Sequence, residues 1–184
     1  YRVPSEGWKP EGYEPPSEKE SAAKMKTLNN VHINQALKTP QFYQLWIVLC
    51  FNVSAGIGVI GVAKTMMSEI FGSAPGGTDL ANLVTAGFAG TYVLMISVFN
   101  MCGRIIWASL SDYIGRKNTY HCFFVIGTLL YLSIPFTANA VSVNPSVMYL
   151  VMFYAATMII FTMYGGGFAT IPAYLADMFG TMHV

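Results

Sequence analysis

The residues best equipped for chemistry fall in one stretch, NMCGRIIWASLSDYIGRKNT, from Asn100 to Thr119. Arg104 stands inside an apolar run, eight residues before the first acid, Asp112. Its guanidinium is planar, always charged and forked, which suits a carboxylate. The second device follows at once: an acid at a helix end (Asp112), a glycine that permits a tight turn (Gly115), and two cations (Arg116, Lys117). Further along, Tyr164 and Phe168 are four residues apart and share one face of a helix. Asn52 and Ser54 are polar residues in mid-run, suited to interhelical hydrogen bonds or to lining a cavity. Asp177 is either a gate residue or a helix-end charge. No nucleophile–base constellation, phosphate loop or metal cluster occurs, so the reading is not an enzyme and no cofactor is expected.

The elements that position these groups are long and apolar. Of 184 residues, 54% are hydrophobic and 10% charged, against about a quarter charged in soluble domains. From Phe42 to Ala176 the charged residues are Lys64, Glu69, Asp79, Arg104, Asp112, Arg116 and Lys117. Between them lie runs of about 20 apolar residues, the length that crosses a bilayer. The expected fold is all-α, a polytopic membrane helical bundle. Four spans are expected at about 42–63 (with helix reaching Phe71), 83–110, 120–138 and 147–175. They are separated by GSAPGGTD, the charged loop SDYIGRKN and the turn NAVSVNPS. Thr39 and Pro40 form a helix start, as N-cap and first helical residue. Gly165, Gly166 and Gly167 permit close helix approach, and with Pro172 they are expected to bend or break the fourth span.

Residues 1–38 differ from the rest. They are rich in Pro, Gly, Glu and Lys and form a polar linker, with a short interfacial helix in TLNNVHINQALK. The three cysteines, Cys50, Cys102 and Cys122, are isolated and have neither disulfide nor metal spacing. A net charge of +1 carries no argument for nucleic acid. Lys24, Lys26, Lys38, Arg116 and Lys117 fall on one side of the four spans, against Lys64 on the other. The positive-inside rule therefore puts residues 1–38 and the 111–119 loop in the cytoplasm of a multi-pass cell-membrane protein. His121 and His183 lie near that edge and are the candidates for proton coupling.

Depth follows from the helical rise of about 1.5 Å per residue. Arg104 lies about 12 Å deeper than Asp112, in a hydrocarbon half-thickness of about 15 Å. A lipid-facing guanidinium there costs at least about 2.5 kcal/mol. It must face protein or a wet cavity, and no span supplies a carboxylate to pair with it. Two readings stand: an arginine paired with carbonyls or with an acid outside this chain, or a group that binds an anion.

The string GRIIWASLSDYIGRK resembles the signature loop of the major facilitator superfamily, G-x-L-x-D-x-x-G-R-K, with Ala108 in place of its first glycine. Together with TPQFYQLWIVLCFNVSAGIGVIG and YGGGFATIPAYLADMFG, it resembles the oxalate/formate antiporter branch, over nearly everything from Thr39 to Val184. The resemblance implies a central loop followed by helices seven to ten of a twelve-helix carrier. The N-terminal half and the last two helices of the same polypeptide would then lie outside this sequence. It also implies that Arg104 stands where the eighth helix offers a cation to a central anion site, with a partner lysine on the eleventh helix.

The expectation is thus a secondary carrier that moves small carboxylates such as oxalate, formate or lactate by alternating access. Arg104 would bind the anion, with Tyr164, Phe168 and Asn52 around it. Asp112, Gly115, Arg116, Lys117 and Asp177 would form the gate. The partners are the carboxylate and the lipid bilayer. The alternatives are a carrier for another solute, such as a sugar or drug, and a non-transporting receptor or scaffold with the same architecture.

Overall fold

The computed structural model describes residue 27, residues 30–72 and residues 79–181. The linker sequence of residues 1–26, residues 73–78 of the GSAPGGTD break, and His183 lie outside these. The described residues are helical, in the order α1 (Ile33–Ala36), α2 (Pro40–Met67), α3 (Asp79–Leu83), α4 (Ala86–Ile114), α5 (Arg116–Val143) and α6 (Val147–Phe179). A π-helical turn, Ser68–Gly72, prolongs α2.

Each start has a local cause. Pro40 occupies the first turn of α2, where its missing N–H is no loss. Thr39 is the N-cap residue, but its hydroxyl donates backwards to the Ala36 carbonyl at 2.6 Å and does not accept from α2. Thr85 and Ser146 do cap through their side chains, accepting from the N–H groups of Phe88 and Met148. Between α4 and α5 the connection is one residue. Gly115 has φ of 88°, a conformation that costs other residues strain. The segment expected as an eight-residue charged loop is therefore helix on both sides of one glycine. The fourth span does not break either: α6 runs through Gly165–Gly167 and Pro172 to Phe179.

The helices Pro40–Gly72, Ala86–Ile114, Arg116–Val143 and Val147–Phe179 hold 28 to 33 residues each. At about 1.5 Å per residue each exceeds the bilayer core of about 30 Å. They expose Trp46, Phe51, Leu94, Ile105, Leu129 and Phe136, apolar surface that suits lipid or the packing of further helices rather than water. Half of the α6 apolar window is buried, against 11% for each of the other three, so α6 is the hub. One apolar cluster, with Met67, Phe71, Tyr92, Phe153 and Phe161, packs α6 against α2 and α4. A second, with Leu45, Tyr120, Phe123, Ile171 and Phe179, packs it near the Arg116 end. There the incoming chain satisfies α6's last carbonyls: Thr27 and Val31 donate to those of Asp177 and Phe179 at 2.7 and 2.8 Å.

The α4–α6 seam is made by small residues. A Cβ on Gly103 would strike the Thr162 backbone. One on Gly165 would strike Asn100, one on Gly166 the Trp107 side chain, and one on Gly167 the Asn52 amide of α2. The glycine run thus serves close approach, which lets backbones meet where lipid offers no hydrophobic drive. Trp107 completes the seam, donating to Thr162 Oγ1 at 3.1 Å and packing edge-on against Phe123.

Candidate functional site

Two arginines organise the chemistry. Arg104 lies in the body of α4, ten residues before its end, or about 15 Å along the axis. Its Nε faces the Asn100 Oδ1 acceptor at 3.4 Å, one turn back on the same helix. Its guanidinium carbon sits 5.9 Å from the centre of the Phe168 ring, within cation–π range. Among the described residues no carboxylate lies within ion-pair distance of it. With Nε engaged by Asn100, the two terminal nitrogens form the side of the fork left for a ligand.

Behind Phe168 the aromatic contacts continue. Its ring meets Tyr164 edge-to-face, with centroids 5.3 Å apart. Tyr164 is only 9% exposed, because its ring lies where Gly56 of α2 has no side chain. The structure therefore brings Arg104, Phe168 and Tyr164 into one chain of contacts, with Phe168 facing the cation and Tyr164 packed behind it.

Asn52 is placed differently. It packs against Gly167 and lines a cavity of about 30 Å³ with Gly56, Tyr131, Met163 and Tyr164. That is room for about one or two waters. Its Nδ2 is buried with no protein acceptor among the described residues. Arg104 does not line this cavity, so Asn52 and Arg104 are not brought into one pocket.

Arg116, in the first turn of α5, has an acceptor at each of its three nitrogens. Nη2 pairs with Asp112 on α4, and Nε donates to Asp177 Oδ2 in the last turn of α6 at 3.3 Å. Nη1 donates to the Ser111 hydroxyl and, at 3.4 Å, to the Ala108 carbonyl. Ser111 Oγ in turn donates to the same carbonyl at 2.7 Å. Cations are favoured at helix C-termini, where carbonyls are unpaired. One guanidinium thus ties the ends of α4 and α6 to the start of α5, and Gly115 makes the turn short enough for this.

Lys117, the next residue, does not join that node. It is exposed, makes no ion pair among the described residues, and lines a groove with Gln41, Gln44 and His121. Sequence reasoning passed over Asn100 and Ser111. Asn100 carried a usable signal, since a side chain four residues before an arginine shares its helix face. The Phe168–Arg104 contact, 64 residues apart in sequence, carried none.

Four apolar helices of this length, with lipid-compatible outer faces, define a multi-pass helical membrane protein. The family is given by comparison: the model of the Major Facilitator Superfamily matches residues 7–183, and the chain belongs to that family. It is similar to the oxalate:formate antiporter of Oxalobacter formigenes, 33% identical over 153 residues covering 81% of this chain. It is also similar to the uncharacterized MFS-type transporter YhjX of Escherichia coli K12, 26% identical over 147 residues covering 79% of this chain. The chain spans 31% of the length of each of these relatives. No solved structure gives a significant match.

Proposed function

We propose that the protein is a secondary carrier of small organic carboxylate anions that works by alternating access, with Arg104 as the group that binds the carboxylate. The observation that carries this reading is the state of Arg104. It lies deep in a membrane helix with one amide acceptor, one aromatic face and no acid among the described residues. The relative named as an oxalate:formate antiporter supports the same substrate class.

In this reading the carboxylate docks end-on across Nη1 and Nη2, while Asn100 holds Nε and fixes the plane of the fork. Phe168 covers one face of the cation and Tyr164 backs Phe168. Closure over a bare guanidinium would bury an uncompensated charge, whereas closure over an ion pair costs less. A neutral solute leaves that charge unpaired, so the site selects anions. Asn52 supports the wall through Tyr164.

The Arg116 node is the latch of the gate, with Asp112 and Asp177 as its acids and Gly115 as its turn. Breaking these charge pairs allows the helix ends to part, and the node favours one facing state by a few kcal/mol at most. The glycine seam keeps α4 and α6 together, so Arg104 and Phe168 move as a unit. By the distribution of Lys and Arg, this end is cytoplasmic.

The test is uptake by the full-length protein in proteoliposomes, offered radiolabelled oxalate, formate, lactate and a neutral sugar. Saturable uptake of one or more carboxylates, competed by the others and not by the sugar, is expected. Sugar uptake without carboxylate uptake overturns the substrate class. An absence of any uptake by inserted, folded protein overturns the carrier reading in favour of a receptor or scaffold.

A further inference from the structure

The backbone of α6 is weak over a short stretch. Gly165, Gly166 and Gly167 follow one another inside the helix, and glycine is the poorest helix former after proline. Five residues on, Pro172 also lies inside the helix. It has no N–H, so the Phe168 carbonyl, four residues back, loses its donor in the helical ladder. A soft backbone and a missing bond therefore flank one residue, Phe168, whose ring faces the Arg104 guanidinium.

A bond from another helix lands at this point. The Tyr120 hydroxyl of α5 donates to the Gly167 carbonyl at 2.7 Å. Tyr120 is only 3% exposed. Its ring is held edge-on to Phe123, with centroids 5.4 Å apart, and stacked on Tyr174 at 6.0 Å. A buried tyrosine hydroxyl needs an acceptor somewhere. The informative fact is which one it takes, because the Gly167 carbonyl belongs to the planar peptide unit that leads into Phe168. Donor and acceptor are both buried within the described helices, so the bond stands whatever surrounds the bundle.

We propose that Tyr120 is a positioning residue for the anion site. Its hydroxyl fixes the Gly167–Phe168 peptide, stands in for the ladder bond that Pro172 removes, and so holds the Phe168 ring over the Arg104 guanidinium. It acts through the α6 backbone and not on the ligand. Its consequence for transport rests on the reading of Arg104 as the carboxylate-binding group. Tyr120 also lies one turn beyond Arg116 on the same face of α5. Helix α5 thus grips α6 at two levels, at Asp177 through Arg116 and at Gly167 through Tyr120. The first grip is the charge pair of the gate, and the second adjoins the site.

The experiment is hydrogen–deuterium exchange of the full-length protein in lipid nanodiscs, read at the amides of residues 168–171, together with carboxylate uptake kinetics in proteoliposomes. Tyr120→Phe keeps the ring and removes the hydroxyl. It is expected to speed exchange there about three- to tenfold, the worth of one hydrogen bond, and to raise KM by a similar factor with turnover little changed. In a Pro172→Ala background, which restores the N–H, the same substitution should change both by less than about twofold. Tyr131→Phe removes a hydroxyl that donates to the Ala55 carbonyl of α2 at 3.1 Å, and should leave exchange at 168–171 unchanged. Unchanged exchange in Tyr120→Phe overturns the proposal. So does an equal acceleration by Tyr120→Phe in the Pro172→Ala background, or by Tyr131→Phe, since either marks general loosening. Faster exchange at an unchanged KM overturns the positioning role. A wild type that carries no carboxylate defeats the reading of Arg104 instead. The place of the ring is then read from the fluorine resonance of 4-fluorophenylalanine at position 168, which Tyr120→Phe should move toward its position in Arg104→Gln. A resonance that Tyr120→Phe leaves in place overturns the proposal.

Discussion

Arg104 and Arg116 are the same residue type on adjoining helices, twelve positions apart, and the fold treats them oppositely. Arg116 spends its donors on two carboxylates, a hydroxyl and a carbonyl drawn from two other helices. Arg104 has one amide from its own helix and the face of a phenyl ring. A saturated guanidinium braces structure, because any ligand would have to displace partners already well placed. An unsaturated one at membrane depth is costly unless something else completes it. That difference is what the proposed division into a bracing and a binding arginine rests on.

The largest effect that would break this contrast is at Arg104. Arg104→Ala should weaken carboxylate uptake by about 30-fold or more, the lower end of the 2–5 kcal/mol lost when one partner of a buried charge pair is truncated. Its thermal midpoint in detergent should stay close to wild type. Uptake retained at the wild-type rate would end the binding role.

The bracing side is tested next at the turn. Gly115→Ala forces a side chain into a positive-φ conformation and should cost about 1–3 kcal/mol of stability, read as a lower midpoint in a thermal melt. An unchanged midpoint would mean that the one-residue turn carries no strain. Somewhat smaller is the coupling between Arg116 and Asp177. A double-mutant cycle with Arg116→Gln and Asp177→Asn should return about 0.5–3 kcal/mol, with turnover changed more than substrate affinity. Strict additivity would dissolve the node.

The smallest effect sharpens the binding side. Asn100→Ala removes the acceptor for Nε and should weaken substrate affinity several-fold, by about 0.5–1.5 kcal/mol. A change in turnover at constant affinity would instead place Asn100 in the α4–α6 seam alone.

How much of this was legible beforehand depended on distance along the chain. The existence of four long helices, and the place of Arg104 ten residues inside one of them, follow from apolar run length and helical rise, both local. Pairing of Asp112 with Arg116 was readable for the same reason, since they are four apart and lie across a glycine. What was not legible was tertiary. Nothing in the order of residues says that Asp177 reaches Arg116, that Phe168 faces Arg104, or that Gly166 exists to admit Trp107. The expected loop at 111–119 failed for a subtler reason. Charged residues imply solvent, and here they sit in the end turns of two helices that reach past the hydrocarbon. The expected break in the fourth span failed because those glycines are held between neighbouring helices, where close packing replaces the stiffness they lack.

The hub position of α6 also has a consequence for assembly in time. It is the last of the four spans to leave the ribosome, yet it holds half-buried surface where the earlier three hold about a tenth. Within this chain those three, each hydrogen-bonded within itself, have little to pack on until α6 is inserted. The arrival of α6 then zips them together along its glycines, so a slow step in biogenesis should lie there, after insertion and before the bundle becomes resistant to proteases.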